Sequence, residues 1–98
     1  VNLAMNTYRD DWLKAVIADK AVSGGTWLVA SAIACAMGPG RLATTDWQTL
    51  NASLRRDRSN PAMLASIKEL EDAGYVERYL GDGRASTQGW RLTRPGKE

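Results

Sequence analysis
The 98-residue chain carries 13 lysines and arginines against 11 aspartates and glutamates, net +2, with one cysteine and no histidine. That length fits one small domain, residues 1–98, with a modest core, and 44% apolar content is that of a folded protein. The lack of histidine excludes a histidine-based zinc site or a histidine-dependent triad within the chain. The apolar run from Trp27 to Met37 is too short to span a bilayer, and no basic leader with a cleavage site is legible. The expectation is a cytoplasmic, metal-free, cofactor-free domain.

Residues 1–6 read as a frayed arm. The spacing of Trp12 with Val16 and of Leu13 with Ile17 predicts a helix over 8–20 with one apolar stripe. Asp10 and Asp11 suit its first turn and Lys20 its last, where each complements the helix dipole. Ser23 is an N-cap for a second helix over 24–37. With almost no polar residue on any side, that helix is expected to be central and buried, and Cys35 within it to be a core cysteine. Gly38-Pro39-Gly40 ends it, and residues 41–43 suit a short strand. Thr45 and Gln48 fit a capping box opening a helix over 45–52.

Ser59 then reads as the cap of a helix over 59–73, with Pro61 in its first turn. Met63, Ile67 and Leu70 form the buried stripe, and Gly74 takes the left-handed stop. Residues 75–80 and 89–93 read as two strands joined by a polar, glycine-rich tip. Alternation puts Trp90 and Leu92 inward and Arg91 outward. Trp12, Trp27, Trp47 and Trp90 read as four core anchors. Residues 94–98 form a polar tail.

Charge is segregated along this chain. Residues 1–40 hold three basic and three acidic side chains. Beyond them Arg41, Arg55, Arg56, Arg58, Arg84, Arg91 and Arg94 fall in turns or on the hairpin, while Glu69, Glu71 and Asp72 sit late in the last helix. The acidic groups have helix-end or ion-pair explanations, and Gly81-Asp82-Gly83 lacks the lysine of a phosphate-binding loop. No catalytic constellation is present, so no enzyme is expected.

The segment Ser66-Ile67-Lys68-Glu69-Leu70-Glu71-Asp72-Ala73-Gly74-Tyr75-Val76-Glu77-Arg78 resembles the recognition helix and first wing strand of winged helix-turn-helix proteins. The likeness extends over residues 21–93. It is similar to MarR- and GntR-type bacterial regulators, and closer to winged-helix domains of phage and plasmid replication or regulatory proteins. The resemblance implies a mainly helical domain with a small β-hairpin wing that binds double-stranded DNA. Transcriptional regulation and recognition of a replication origin are both within its scope, as is a homodimer through the first helix. It places Ser59 at the recognition-helix cap, Asn60, Pro61, Leu64, Ala65 and Lys68 at groove-facing positions, and Arg84 at the wing tip.

Arg55, Arg56 and Arg58 stand just ahead of a helix N-terminus, where free N–H groups already favour phosphate. A solvated turn, with Asp57 pairing to an arginine, is the plainer account of the same residues. Arg84 and Arg91 have the same two readings. The turn from Leu54 to Ser59 is longer than the usual one, and Arg55 stands where glycine is common. Of the groove-facing set, only Asn60 and Lys68 can hydrogen-bond a base edge, whereas apolar residues can touch thymine methyls. The rival from another class is a protein-interaction module, for which Pro61, Leu64 and Ala65 would make an apolar docking face.

Overall fold
A computed structural model describes residues 3–80 and 88–95 of the chain. It is mainly helical with a small antiparallel sheet. In chain order the elements are α1 (Leu3–Ala18), α2 (Gly24–Ala36), a 3₁₀ turn (Pro39–Arg41), β1 (Leu42–Ala43), α3 (Trp47–Ser53), α4 (Ala62–Ala73), β2 (Val76–Tyr79) and β3 (Gly89–Leu92). The sheet order is β1-β3-β2, so the last strand is central. Ala43 faces Trp90 on one side of it, and Arg78 faces Trp90 on the other.

The core draws on every helix and on the central strand. Trp12 and Val16 of α1, Val29, Ala30 and Ile33 of α2, Leu50 of α3, Met63, Ile67 and Leu70 of α4, and Trp90 and Leu92 of β3 are all buried. The stripe of α4 is therefore as the spacing predicts. Gly74 ends that helix at φ 89. Its N–H donates to Glu71 O, and the N–H of Tyr75 donates to Leu70 O, the paired closure of a left-handed helix stop.

Helix α1 seals one end of the sheet. The buried Trp12 indole N–H donates to Tyr75 O at 2.9 Å and to Thr93 O at 2.8 Å. The Trp12 and Tyr75 rings meet edge to face, 6.4 Å apart. The Tyr75 hydroxyl donates to Asp19 Oδ2 at 2.7 Å, and the Tyr8 hydroxyl to Leu92 O at 3.1 Å. Burial raises the Tyr75 pKa to about 12, helped by its bond to the Asp19 carboxylate. That hydroxyl in turn holds Asp19 below the ordinary carboxylate range.

Several boundaries differ from the sequence expectation. Helix α1 starts at Leu3 rather than at residue 8, because Leu3-Ala4-Met5 are good helix formers with no glycine or proline to stop them. Asp10 and Asp11 thus lie mid-helix. The helix ends at Ala18, short of Lys20, because Asp19 Oδ1 accepts the Ala21 N–H and turns the chain. Strand β1 omits Arg41, whose φ of 61° is not extended; its guanidinium lies 3.8 Å from the Tyr8 ring centroid.

Thr45 does not cap α3; Asp46 does, accepting the Thr49 N–H at 2.7 Å. That bond is the main reason the Asp46 pKa is lowered. Ser59 does not cap α4, which begins only at Ala62.

The central helix is less enclosed than its composition implies. Val29, Ala30, Ile33 and Ala34 of α2 point inward, but Trp27 and Leu28 are each 41% exposed, and Cys35 is exposed too. Trp27 is therefore no core anchor, and Trp47 is only half-buried. Ile17 is 57% exposed, because the α1 stripe narrows to Trp12 and Val16 with Leu13 at its edge. Ser23 does precede α2 but makes no side-chain bond to its backbone. Its N–H and hydroxyl both donate to Glu69 Oε1 at 3.0 Å, so a carboxylate from α4 sits at the start of α2. Hydrogen bonds from Thr26 and then Ser23 hold the Glu69 pKa low.

Candidate nucleic-acid interface
The turn between α3 and α4 is built from its backbone outward. After Leu54 the chain reverses through Arg55, at φ 59°. The Arg55 N–H donates to Ala52 O, and the Arg56 N–H to Asn51 O at 2.9 Å. These are the two bonds that also close α4 at Gly74, but here an arginine takes the left-handed place that glycine favours.

Asn51 then staples the rest of the turn. It is fully buried, and its Nδ2 donates to Arg58 O at 3.0 Å and to Asn60 O at 3.1 Å. Its Oδ1 is buried without a partner among the described residues. Asp57 accepts the Ser59 N–H at 2.9 Å and the Ser59 hydroxyl at 2.6 Å, mainly the latter lowering its pKa. A charged carboxylate is a stronger acceptor than a neutral group, so Ser59 serves the turn and not the helix. Asn60 Oδ1 accepts the Ala62 N–H at 3.0 Å and takes up the first free donor of α4.

This scaffold brings the expected residues together in two groups. Arg55, Arg56, Arg58, Ser59 and Asn60 share the turn. Arg55 and Arg58 are exposed and Arg56 is half-buried. Asp57 pairs with Ser59 and not with an arginine, and none of the three arginines forms an ion pair among the described residues. Leu64, Ala65 and Lys68 follow on the outward side of α4. Leu64 is 49% exposed, and Lys68 Nζ lies 3.5 Å from Asp72 Oδ1.

Arg91 does not join this set. It points outward from β3, as alternation predicts, and its Nε lies 3.6 Å from Glu77 Oε1 across the strand pair. It lines a cleft of about 640 Å³ with Arg41, Arg94, Glu71 and Gly74, at the opposite end of α4 from the arginine turn. Arg84 lies outside the described residues.

Sequence reasoning missed Asn51 and Glu69 as organisers. A signal for Asn51 existed: it follows Leu50 and stands four residues after Trp47, a polar residue in an apolar register. Glu69 gave none, since its partner Ser23 is 46 residues away.

Among the described residues no cluster of three histidine, cysteine or acidic side chains is placed to hold a metal ion. No helix is long and apolar enough to cross a membrane. No protein-family model matches the chain, and none of the curated proteins or solved structures matches it either.

Proposed function
We propose that this chain is a winged helix-turn-helix domain that binds double-stranded DNA, in transcriptional regulation or in recognition of a replication origin. The succession α2-β1-α3-α4-β2-β3 with sheet order β1-β3-β2 supports the fold assignment. In this reading α3 and α4 are the helix-turn-helix pair, α4 enters the major groove, and the β2–β3 hairpin is the wing.

The observation that carries the DNA reading is the turn ahead of α4. Three arginines, none ion-paired to a carboxylate among the described residues, stand on a backbone fixed by Asn51 and Asp57. Arg58 feels the Asp46 carboxylate only at longer range, as a minor contribution to its lowered pKa, and cationic groups held in place without a direct ion pair suit phosphate contact. Arg55 strengthens the point, because an arginine there carries a left-handed backbone that glycine would adopt freely.

Titration of the protein into a labelled random-sequence duplex at low and physiological salt tests this. Binding is expected to weaken steeply with salt. In an Arg55/Arg56/Arg58→Gln triple variant, the log–log salt slope should shrink by about 0.9 for each phosphate no longer neutralised. Undetectable binding at low salt would overturn the proposal. The exposed Leu64 favours a second reading, a module that docks proteins, and the absence of any DNA affinity is what that reading requires. A homodimer through α1, with Ile17 exposed at 57%, remains part of the DNA proposal and is checked by sedimentation of Ile17→Glu.

A further inference from the structure
We infer that α4 reads the C5-methyl groups of pyrimidines in the major groove, those of thymine or 5-methylcytosine, in place of hydrogen-bonding base edges. The inference rests on the DNA reading above and adds what the helix would recognise. The polar candidates on this side of the molecule already have partners within the chain. The Ser59 hydroxyl donates to Asp57. Asn60 Oδ1 already accepts the Ala62 N–H, which turns the amide toward the start of the helix and leaves one lone pair for adenine N6 in a bidentate pair. Lys68 Nζ lies 3.5 Å from Asp72 Oδ1 in an exposed pair one turn further from the arginines, a weak bias along the helix.

What remains turned outward is apolar. Pro61, Ala62, Leu64 and Ala65 are all exposed, and Leu64 keeps half its surface in solvent although α4 has a well-filled inner stripe. An isolated exposed leucine is ordinary. This one follows closely on the arginine turn, whose charge complements a phosphate backbone on either side of a groove. In the major groove the pyrimidine C5 position is the apolar feature of a base pair, and thymine carries a methyl there. Small alanines beside Leu64 permit close approach of the helix.

Base analogues isolate the methyl. The probes are an A·T-rich duplex, the same duplex with deoxyuridine at every thymine, and a G·C-rich duplex with and without 5-methyl groups on its cytosines. The deoxyuridine duplex is expected to bind more weakly by about fourfold per contacted methyl, and 5-methylation of cytosine to tighten binding by a similar factor. Leu64→Ser should erase both differences, and because the side chain carries no charge the salt slope set by the arginine turn should be retained. Leu64 is exposed, so this variant keeps the folded state, and a circular dichroism melt verifies it. Equal affinities for the thymine and deoxyuridine duplexes, with steep salt dependence retained, would overturn the methyl inference and leave the DNA reading standing. Failure to bind any duplex would overturn both. Discrimination that persists in Leu64→Ser would also overturn it, since the methyl would then be sensed through duplex shape.

Discussion
Replacing Trp12 by Phe keeps an aromatic ring at the junction of α1 and the sheet but removes the indole N–H. That N–H serves two carbonyls, Tyr75 O and Thr93 O. Tyr75 O retains the Thr93 N–H at 2.8 Å, so Thr93 O bears most of the loss. A hydrogen bond contributes about 1 kcal/mol net, and the half-buried Thr93 carbonyl left without its donor costs about 1 kcal/mol, the low end of the range for a buried group. The smaller ring also leaves space beside Tyr75, which adds to the cost. Together these give a destabilisation of roughly 2–4 kcal/mol. Urea unfolding followed by circular dichroism reads it as a fall in midpoint of about 2 M with unchanged slope. Trp47→Phe is the control, because Trp47 is half-buried and its indole has no hydrogen bond among the described residues; it should lose under about 1 kcal/mol. If the two variants lose the same stability, the claim that the indole fastens α1 to the sheet is wrong.

Three further outcomes are expected. Asn51→Ala frees Arg58 O and Asn60 O and should lower the melting temperature by about 10 °C or more, reflecting two lost hydrogen bonds in a buried position; a melt within about 2 °C of the parent would contradict the stapling role. Gly89 has φ 151°, and a Cβ there would collide with Ala43 O and press on Thr44 Cα at 3.0 Å. Gly89→Ala should therefore separate β1 from β3 and yield little folded protein by circular dichroism, whereas a stable variant would show that the strand pairing tolerates displacement. Stability should also fall at both ends of the pH scale. Asp19, Asp46, Asp57 and Glu69 have lowered folded pKa values, so their contribution is present above the ordinary carboxylate range and is lost as pH falls through and below it. Tyr75, raised to about 12, contributes fully below pH 10 and loses that contribution as pH rises towards 12. Urea midpoints against pH check this, with Glu69→Gln flattening the acid limb and Tyr75→Phe the alkaline one.

The parts of this fold that were legible in the sequence are those governed by local spacing. The Met63-Ile67-Leu70 stripe, the stop at Gly74 and the inward Trp90 and Leu92 follow from helix and strand periods. The caps were misread where two nearby acceptors competed. Asp46 displaced Thr45, and Asp57 drew Ser59 away from α4, because a carboxylate accepts more strongly than a hydroxyl. Burial was misread where composition was uniform. An all-apolar α2 gives no period to say which side faces out, and the core does not reach Trp27 or Cys35. Of the candidate site, the arginine cluster was visible as a run of charge. The Asn51 staple and the Arg91–Glu77 pair needed the folded backbone to bring their atoms together.

The bonds that close α1 onto the sheet also set an order of events during synthesis. Trp12 binds a carbonyl 81 residues later in the chain, and Tyr8 one 84 residues later. At about 5–20 residues per second, α1 waits roughly 4–16 s on the ribosome for its partners. Throughout that interval the side chains of Trp12 and Val16 have no sheet to lie against. A nascent chain arrested before Thr93 should stay open to protease at α1, and resistance should arrive abruptly once the last strand clears the exit tunnel.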